Sequence, residues 1–158
     1  MKDYLRPGGA VPGFWKAPQP YGPQDKDWWD PANPAHWNWD ADADQRWWID
    51  QIKDKVTTWE AFSNSPPYFD TVSGYVSGGF DANAEQIRAE KVNEFAEYLV
   101  RVTEHIEKAH DIDFATIDPL NEPNTNYWGT QLGADGQPTG GRQEGAHVGP
   151  ARQAQVIE

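Results

Sequence analysis

The chain has 158 residues, 37% of them apolar, with 25 acidic and 13 basic side chains and a formal net charge of −12. That length suits one ordinary domain and falls short of a complete eight-stranded α/β barrel, which takes roughly 250 residues. The negative charge disfavours nucleic acid and anionic membrane surfaces as partners, no apolar run reaches membrane-spanning length, and zero cysteines exclude disulfides and thiolate metal sites.

Residues 1–41 are rich in Pro, Gly and Trp and show no sustained period. Pro7, Pro12, Pro18, Pro20, Pro23, Pro31 and Pro34 forbid a long helix or an inner strand. An irregular wrapping segment is expected. Its aromatics (Phe14, Trp15, Trp28, Trp29, Trp37 and Trp39) argue against a disordered tail, because disordered chains are poor in aromatics. A helix is expected over 42–53, with Asp42 and Asp44 opposing its macrodipole and Trp48, Ile49 and Ile52 forming one apolar face. A strand of β-branched and aromatic residues follows at 56–63. The strongest periodicity lies at 89–109, where Val92, Phe95, Ala96, Leu99, Val102, Ile106 and Ala109 recur at helical spacing. The apolar run 114–120 reads as a buried strand. Pro150 suits the first position of a third helix, where its missing N–H costs nothing.

Helix, strand, helix, strand, helix implies a parallel sheet with crossover helices, an α/β fold. Connections into the strands are about two to four residues long, the ordinary length. Those leaving them, 64–88 and 121–149, are about 25 and about 29 residues, far above the usual median. Long loops at one end are how a barrel builds an active face. A doubly wound open sheet is the competing architecture, but no dinucleotide glycine fingerprint follows either strand.

Asn121-Glu122-Pro123 stands where the second strand emerges into its long loop. A carboxylic acid there can protonate a departing glycosidic oxygen and then deprotonate the incoming water, with the neighbouring amide on an adjacent sugar hydroxyl. Neighbours on a regular strand face opposite sides, so the pair shares a site only if the strand twists or bulges at its end. The competing reading is a capping or surface Glu. At the other strand end, Asn64 and Ser65 face the same rim, stiffened by Pro66 and Pro67. Nine Trp supply flat apolar faces suited to sugar rings, although most are expected to be packing residues.

Other motifs fail on their own chemistry. Asp40, Asp42 and Asp44 open like a calcium loop, but Gln45 and Gln51 stand where Gly and Glu are needed. His36, His105, His110 and His147 show no ligand spacing, so neither a metal nor another cofactor is expected. The glycines of 129–149 lack the Lys-Ser or Lys-Thr of a phosphate loop. They suit a loop turning tightly over a site, with Arg142, Gln143, Glu144 and His147 as polar side chains.

Four segments together carry a family likeness: Glu60-Ala-Phe-Ser-Asn-Ser-Pro-Pro-Tyr-Phe69, Val72-Ser-Gly-Tyr-Val-Ser-Gly-Gly79, Ile117-Asp-Pro-Leu-Asn-Glu-Pro-Asn124 and Gly140-Gly-Arg-Gln-Glu-Gly145. Arg6-Pro-Gly-Gly-Ala-Val-Pro-Gly-Phe-Trp15 and Asp42-Ala-Asp-Gln-Arg-Trp-Trp48 fit the same pattern. The chain resembles glycoside hydrolase family 30, within it the endo-β-1,6-galactanase group, over most of its length. The resemblance implies a (β/α)8 TIM barrel with an appended β-sandwich and a retaining mechanism. Glu122 would be the acid/base and Asn121 the ligand of the sugar 2-hydroxyl. Asn64, Ser65, Asn124, Tyr127, Trp128, Glu144 and His147 are the further substrate-binding candidates. It also implies secretion, which the residues themselves leave open.

On that likeness the chain is an incomplete barrel, a partial catalytic domain over 1–158 with 1–41 as its irregular segment. It would run from about strands two and three to the helix after strand four. The family's nucleophile, a Glu at the end of strand seven, would lie outside it. Retaining enzymes hold their two carboxyl groups about 5–5.5 Å apart. Glu60 is mid-strand, and Asp118 is about 13 Å upstream of Glu122 at ~3.3 Å per residue. Glu144 is a loop acid and a poor scaffold for a nucleophile. No hydrolysis is therefore expected from these 158 residues alone, and its partners are a carbohydrate and the remainder of its own barrel. A non-catalytic carbohydrate-binding piece or a structural remnant is the alternative. Two residues depart from the family pattern: Asp70 replaces a usual apolar residue near the expected pocket, and Asp111 replaces a helix-ending Gly.

Overall fold

The strongest periodic segment becomes the longest helix, α2 (Val92–His110), entered through a 3-10 turn at Ala89–Lys91. The computed structural model that shows this describes residues 13–16, 26–140 and 144–158. Pro7, Pro12, Pro18, Pro20 and Pro23, most of the 6–15 motif, and Arg142 and Gln143 lie outside the described residues. Val92, Phe95 and Ile106 are buried on α2, joined by Tyr98, whose place in the stripe the apolar periodicity missed. Ala109 is exposed. Pairs at helical spacing support the helix: Arg101 with Glu97 at 2.8 Å and Lys108 with Glu104 at 3.5 Å on the exposed side, and the partly buried Lys91 with Glu94 at 2.8 Å at its start. Such pairs contribute only about 0.2–0.5 kcal/mol each, so the buried stripe is what fixes the helix. Asp111 ends it in the left-handed region, φ 56°, returning its N–H to Glu107 O. It is the position where glycine would cost least.

Helix α1 (Ala43–Ile52) starts at Asp42, whose carboxylate accepts from Gln45 N at 3.3 Å. Only Ile49 of its expected apolar face is fully buried. Ile52 is half-buried and Trp48 is 58% exposed, edge-to-face with exposed Trp47 at 5.1 Å. The correction has a simple cause: α1 is tied to α2 by its C-terminal end. Asp50 Oδ1 meets His110 Nδ1 at 2.8 Å and Lys53 Nζ donates to His110 O at 2.8 Å, while Trp48 points away from that contact.

Strands β1 (Trp59–Phe62) and β2 (Phe114–Asp118) flank α2 in sequence and pair in parallel. Ala61 faces Ile117, Phe62 faces Asp118, and the register shifts between Trp59 and Glu60. Glu107 Oε1 accepts from Phe114 N at 2.8 Å, so the helix sets where β2 begins. Both strands are shorter than the expected 56–63 and 114–120. The expectation of a buried strand is also overturned: Ala115, Thr116 and Ile117 are exposed, as are Glu60 and Phe62. Pairing requires only backbone, whereas burial requires a layer on each face. Among the described residues, this sheet has two strands.

The core lies elsewhere. Aromatic side chains of the irregular N-terminal segment pack on α2 and on the 3-10 turn Tyr68–Asp70. Trp37 stacks between Trp39 (4.5 Å, 7°) and Tyr98 (5.7 Å, 5°), and Trp29 stacks on Phe69 (4.8 Å, 19°). Polar ends find partners inside this core: Trp28 Nε1 donates to Tyr68 Oη at 2.8 Å and Phe14 N to Tyr98 Oη at 3.2 Å. Of this segment, Phe14, Trp15 and the rings of 28–39 find this surface, in keeping with the packing role expected of most tryptophans. Asp70 sits in the same core with both carboxylate oxygens buried and unpartnered. Burial, then Glu94, pushes its carboxyl well above the usual range, against the smaller opposing pull of Lys91 and Arg88.

Helix α3 (Pro150–Ile157) begins with its proline in the first turn and lies against α2. Glu85 Oε1 accepts from Gly149 N at 3.1 Å just before it. The two long loops hold order of their own. The first makes an antiparallel bridge between Thr71 and Ile87, and the second contains a short hairpin, β3 (Gln131–Leu132) with β4 (Pro138–Gly140). Neither element carries a residue pattern long enough to announce itself.

Candidate active site

Parallel pairing brings the ends of β1 and β2 side by side and aims both chains into the long loops. Ser63 N still donates to Asp118 O at 2.9 Å, so the two exits leave from one edge. Beyond it the second chain turns sharply. Asp118 Oδ1 accepts from Leu120 N at 3.3 Å, and Glu122 adopts φ 44°, a left-handed value unusual for Glu. Thr125 returns its N–H and its hydroxyl to Glu122 O at 3.2 and 3.1 Å, and Trp128 Nε1 reaches the same oxygen at 3.1 Å. This turn breaks strand alternation at Asn121 and Glu122.

The side chains then separate into two contacts. Asn121 Nδ2 donates to Asn64 Oδ1 at 3.3 Å, and Asn64 Nδ2 donates to Glu144 Oε2 at 3.4 Å. Glu122 is exposed, and its Oε2 accepts from the Tyr127 hydroxyl. That hydrogen bond, ahead of any desolvation, holds the Tyr127 phenol above its ordinary value. Sequence positions from β1, β2 and the far end of the second loop thus meet within one cluster. Ser65 is half-buried beside it, with its carbonyl accepting from Ser63 Oγ at 3.4 Å. Asn124 is exposed on the turn. His147 faces the loop interior, with Nδ1 against Thr125 O at 2.7 Å.

Trp128 stands apart from the other expected sugar contacts. It is 1% exposed, under the turn, and offers no face to a ring outside. Gly145 lies so close that a Cβ there would stand 2.5 Å from the indole. The burial and the Nε1 bond make Trp128 a support for the Glu122 backbone. Asp70 also departs from its expected place near the pocket, since it faces the aromatic core.

What clasps the two loops is a residue the sequence reading passed over. Gln86 is fully buried. Its Nε2 donates to Asp81 O at 2.9 Å and Trp128 O at 3.1 Å, while Oε1 accepts from His147 N at 2.7 Å. Three hydroxyls beside it, Ser73, Ser77 and Thr130, link at 2.7 to 2.8 Å. The available signal was the Gly78-Gly79 pair. Gly78 has φ 89°, and a Cβ there would stand 2.2 Å from Gln86 Oε1. Paired glycines in a loop of this kind mark a close approach.

A cavity of about 470 Å³ runs from Asn64, Ser65 and Glu144 down between β1 and the apolar side of α2, at Leu99, Val102 and Ile106. Asn121 and Glu122 do not line it, so it is mainly space between helix and strands, with only its upper end at the cluster. Among the described residues, no group of three or more His, Asp or Glu is placed to hold a metal ion. No helix there is long and apolar enough to cross a membrane.

Comparisons with known proteins bear on the cluster. Residues 31–152 match the family model described as O-Glycosyl hydrolase family 30. An exo-beta-1,6-galactobiohydrolase of Bifidobacterium longum subsp. longum is 34% identical, over 80% of this chain and 9% of the relative. An endo-beta-1,6-galactanase of Hypocrea rufa is 27% identical, over 97% of this chain and 28% of the relative. The chain therefore spans less than a third of the length of either. The crystal structure of a conserved exported protein from Bacteroides fragilis shares the fold, with a TM-score of 0.64 and 24% identity over 79% of this chain and 23% of that one.

Proposed function

This chain belongs to O-glycosyl hydrolase family 30, and from that premise we propose that it carries the acid/base side of a retaining hydrolase of β-1,6-linked galactan chains. The observation that carries the proposal is the cluster at the paired strand ends: Glu122 exposed beside Tyr127, and Asn121 beside it held to Asn64. Glu122 protonates the leaving glycosidic oxygen and then takes a proton from the attacking water. Asn121 holds the sugar hydroxyl next to the scissile bond. Tyr127 donates to the Glu122 carboxylate when it is ionised, and Trp128 with Thr125 pins the backbone that presents it. Asn64, Ser65, Asn124, Glu144 and His147 shape the surrounding surface.

The architecture proposed around this site is part of a (β/α)8 barrel, in which β1 and β2 are consecutive strands joined across α2. The parallel pairing, the order of elements and the long loops at one strand end support it. The nucleophile is then a carboxylate outside these 158 residues, and 158 residues alone do not hydrolyse the chain.

In an active enzyme containing this chain, Glu122→Gln is expected to lower kcat on β-1,6-galactan by two or more orders of magnitude, the usual worth of a general acid. An aryl galactoside with a good leaving group needs less protonation and loses less in the first step. Equal turnover by wild type and variant on galactan would remove Glu122 from the mechanism.

A further inference from the structure

The three-residue line Glu144–Asn64–Asn121 has a direction. An ionised carboxylate only accepts hydrogen bonds, whereas an amide offers a donor end and an acceptor end. Glu144 therefore requires the Nδ2 end of Asn64, which it receives at 3.4 Å. Asn64 is left with Oδ1 on its other side, and that oxygen accepts from Asn121 Nδ2 at 3.3 Å. Asn121 is left with Oδ1, which has no hydrogen-bond partner among the described residues, on a half-exposed side chain next to Glu122. Reversing Asn64 would set its carbonyl against the carboxylate and its N–H groups against those of Asn121. One reversed amide forces the other to reverse.

The start of the line is buried. Glu144 is 8% exposed, and the next residue is locked by Gly145 N donating to Val76 O at 3.0 Å and by contact with Trp128. Asn64 is exposed by comparison, so its orientation is set by its hydrogen bonds more than by packing.

We infer that Glu144 and Asn64 are positioning residues that fix the amide of Asn121 with its carbonyl outward, so that the site accepts a hydrogen bond from a neutral sugar hydroxyl. The inference rests on the sugar-site reading for its ligand, and on the geometry alone for the relay. It reassigns Glu144 and Asn64 from direct contact with substrate to control of the residue that makes it.

The test uses the full chain, with side-chain amide signals in 15N-correlated NMR spectra and β-1,6-galactobiose as the probe. Glu144→Ala should move the Asn121 side-chain signals although Glu144 does not touch Asn121. Glu144→Gln, which keeps a carbonyl acceptor, should leave them near their wild-type positions. Asn64→Leu, at an exposed position and so compatible with the fold, should move them as Glu144→Ala does. Galactobiose affinity should fall about tenfold in the Ala and Leu variants, the worth of one well-made hydrogen bond, and stay within about twofold in Gln. Asn121 signals that ignore both Glu144→Ala and Asn64→Leu would overturn the relay. So would a Gln variant as perturbed as Ala. Absence of galactobiose binding by the wild-type chain would count against the sugar-site reading, while the amide spectra would still decide the relay.

Discussion

Among the described residues, the loop layer and the sheet exchange their usual roles. Residues 66–71 and 73–79, irregular apart from one 3-10 turn, are buried throughout, while β2 exposes Ala115, Thr116 and Ile117. Loops normally run over the surface because their backbone groups need water. Here those groups find other partners. Thr71 Oγ1 accepts from Gly74 N at 3.1 Å and shares its one proton between Tyr68 O and Tyr75 O, Ser73 serves Gly78 and Tyr75, and Gln86 closes two bonds between the loops and one within the first. A strand satisfies its backbone by pairing and still needs a neighbouring layer to hide its side chains. Burial therefore follows which surfaces meet a partner, and secondary structure is only one way of supplying it.

The largest expected effect tests the loop half of that contrast. Gln86→Leu keeps the volume roughly and leaves His147 N, Trp128 O and Asp81 O without their partner. At about 1–3 kcal/mol for the buried Trp128 carbonyl left unpaired and about 0.5–1.5 kcal/mol for each of the two part-buried bonds lost, a loss of about 3 kcal/mol is expected in urea unfolding. A loss below 1 kcal/mol would show that the loops are held by packing alone.

Asp70 offers an intermediate effect of opposite sign. Burial and Glu94 raise its carboxyl in the folded chain above the ordinary 3.8, so folding favours the protonated form, with Lys91 and Arg88 opposing. Its contribution is fully present below the unfolded value and is lost as pH rises through the folded one. Asp70→Asn removes that slope. Thermal melts from pH 4 upward should show the wild type losing ground to the variant, with a gap of about 1–3 kcal/mol once Asp70 is ionised. Parallel curves would mean that Asp70 is solvated or paired in solution.

The smallest effect sharpens the sheet half. Ile117→Ser removes an apolar side chain that is 44% exposed, so stability should change by about 0.5 kcal/mol or less. A loss near that of a core residue would show that the sheet face is covered in solution.

Much of the candidate site was legible because its chemistry is local. Asn121-Glu122-Pro123, Asn64 and Glu144 stand out as polar residues at strand exits or in a glycine-rich loop, and the structure brings Asn121, Asn64 and Glu144 into one line. The helix periodicity of 89–109 and the alternation of elements led to the parallel pair. Gln86 was not legible, because a single buried amide in an irregular segment has no period. Trp128 was misjudged because sequence shows that a Trp is present and not which side of a turn it occupies.

By itself, then, the sequence determined α2, the helix starts near Asp42 and at Pro150, the left-handed stop at Asp111 that a Gly would have eased, the parallel order and the family. These depend on neighbours within a few residues, or on spacings that repeat. Tertiary structure alone decided that Trp48 and Ile117 face outward, that Trp128 and Asp70 turn inward, and that Glu122 leaves strand geometry at φ 44°. Each of those outcomes depends on which distant surface arrives opposite the residue, and no local pattern of side chains records that.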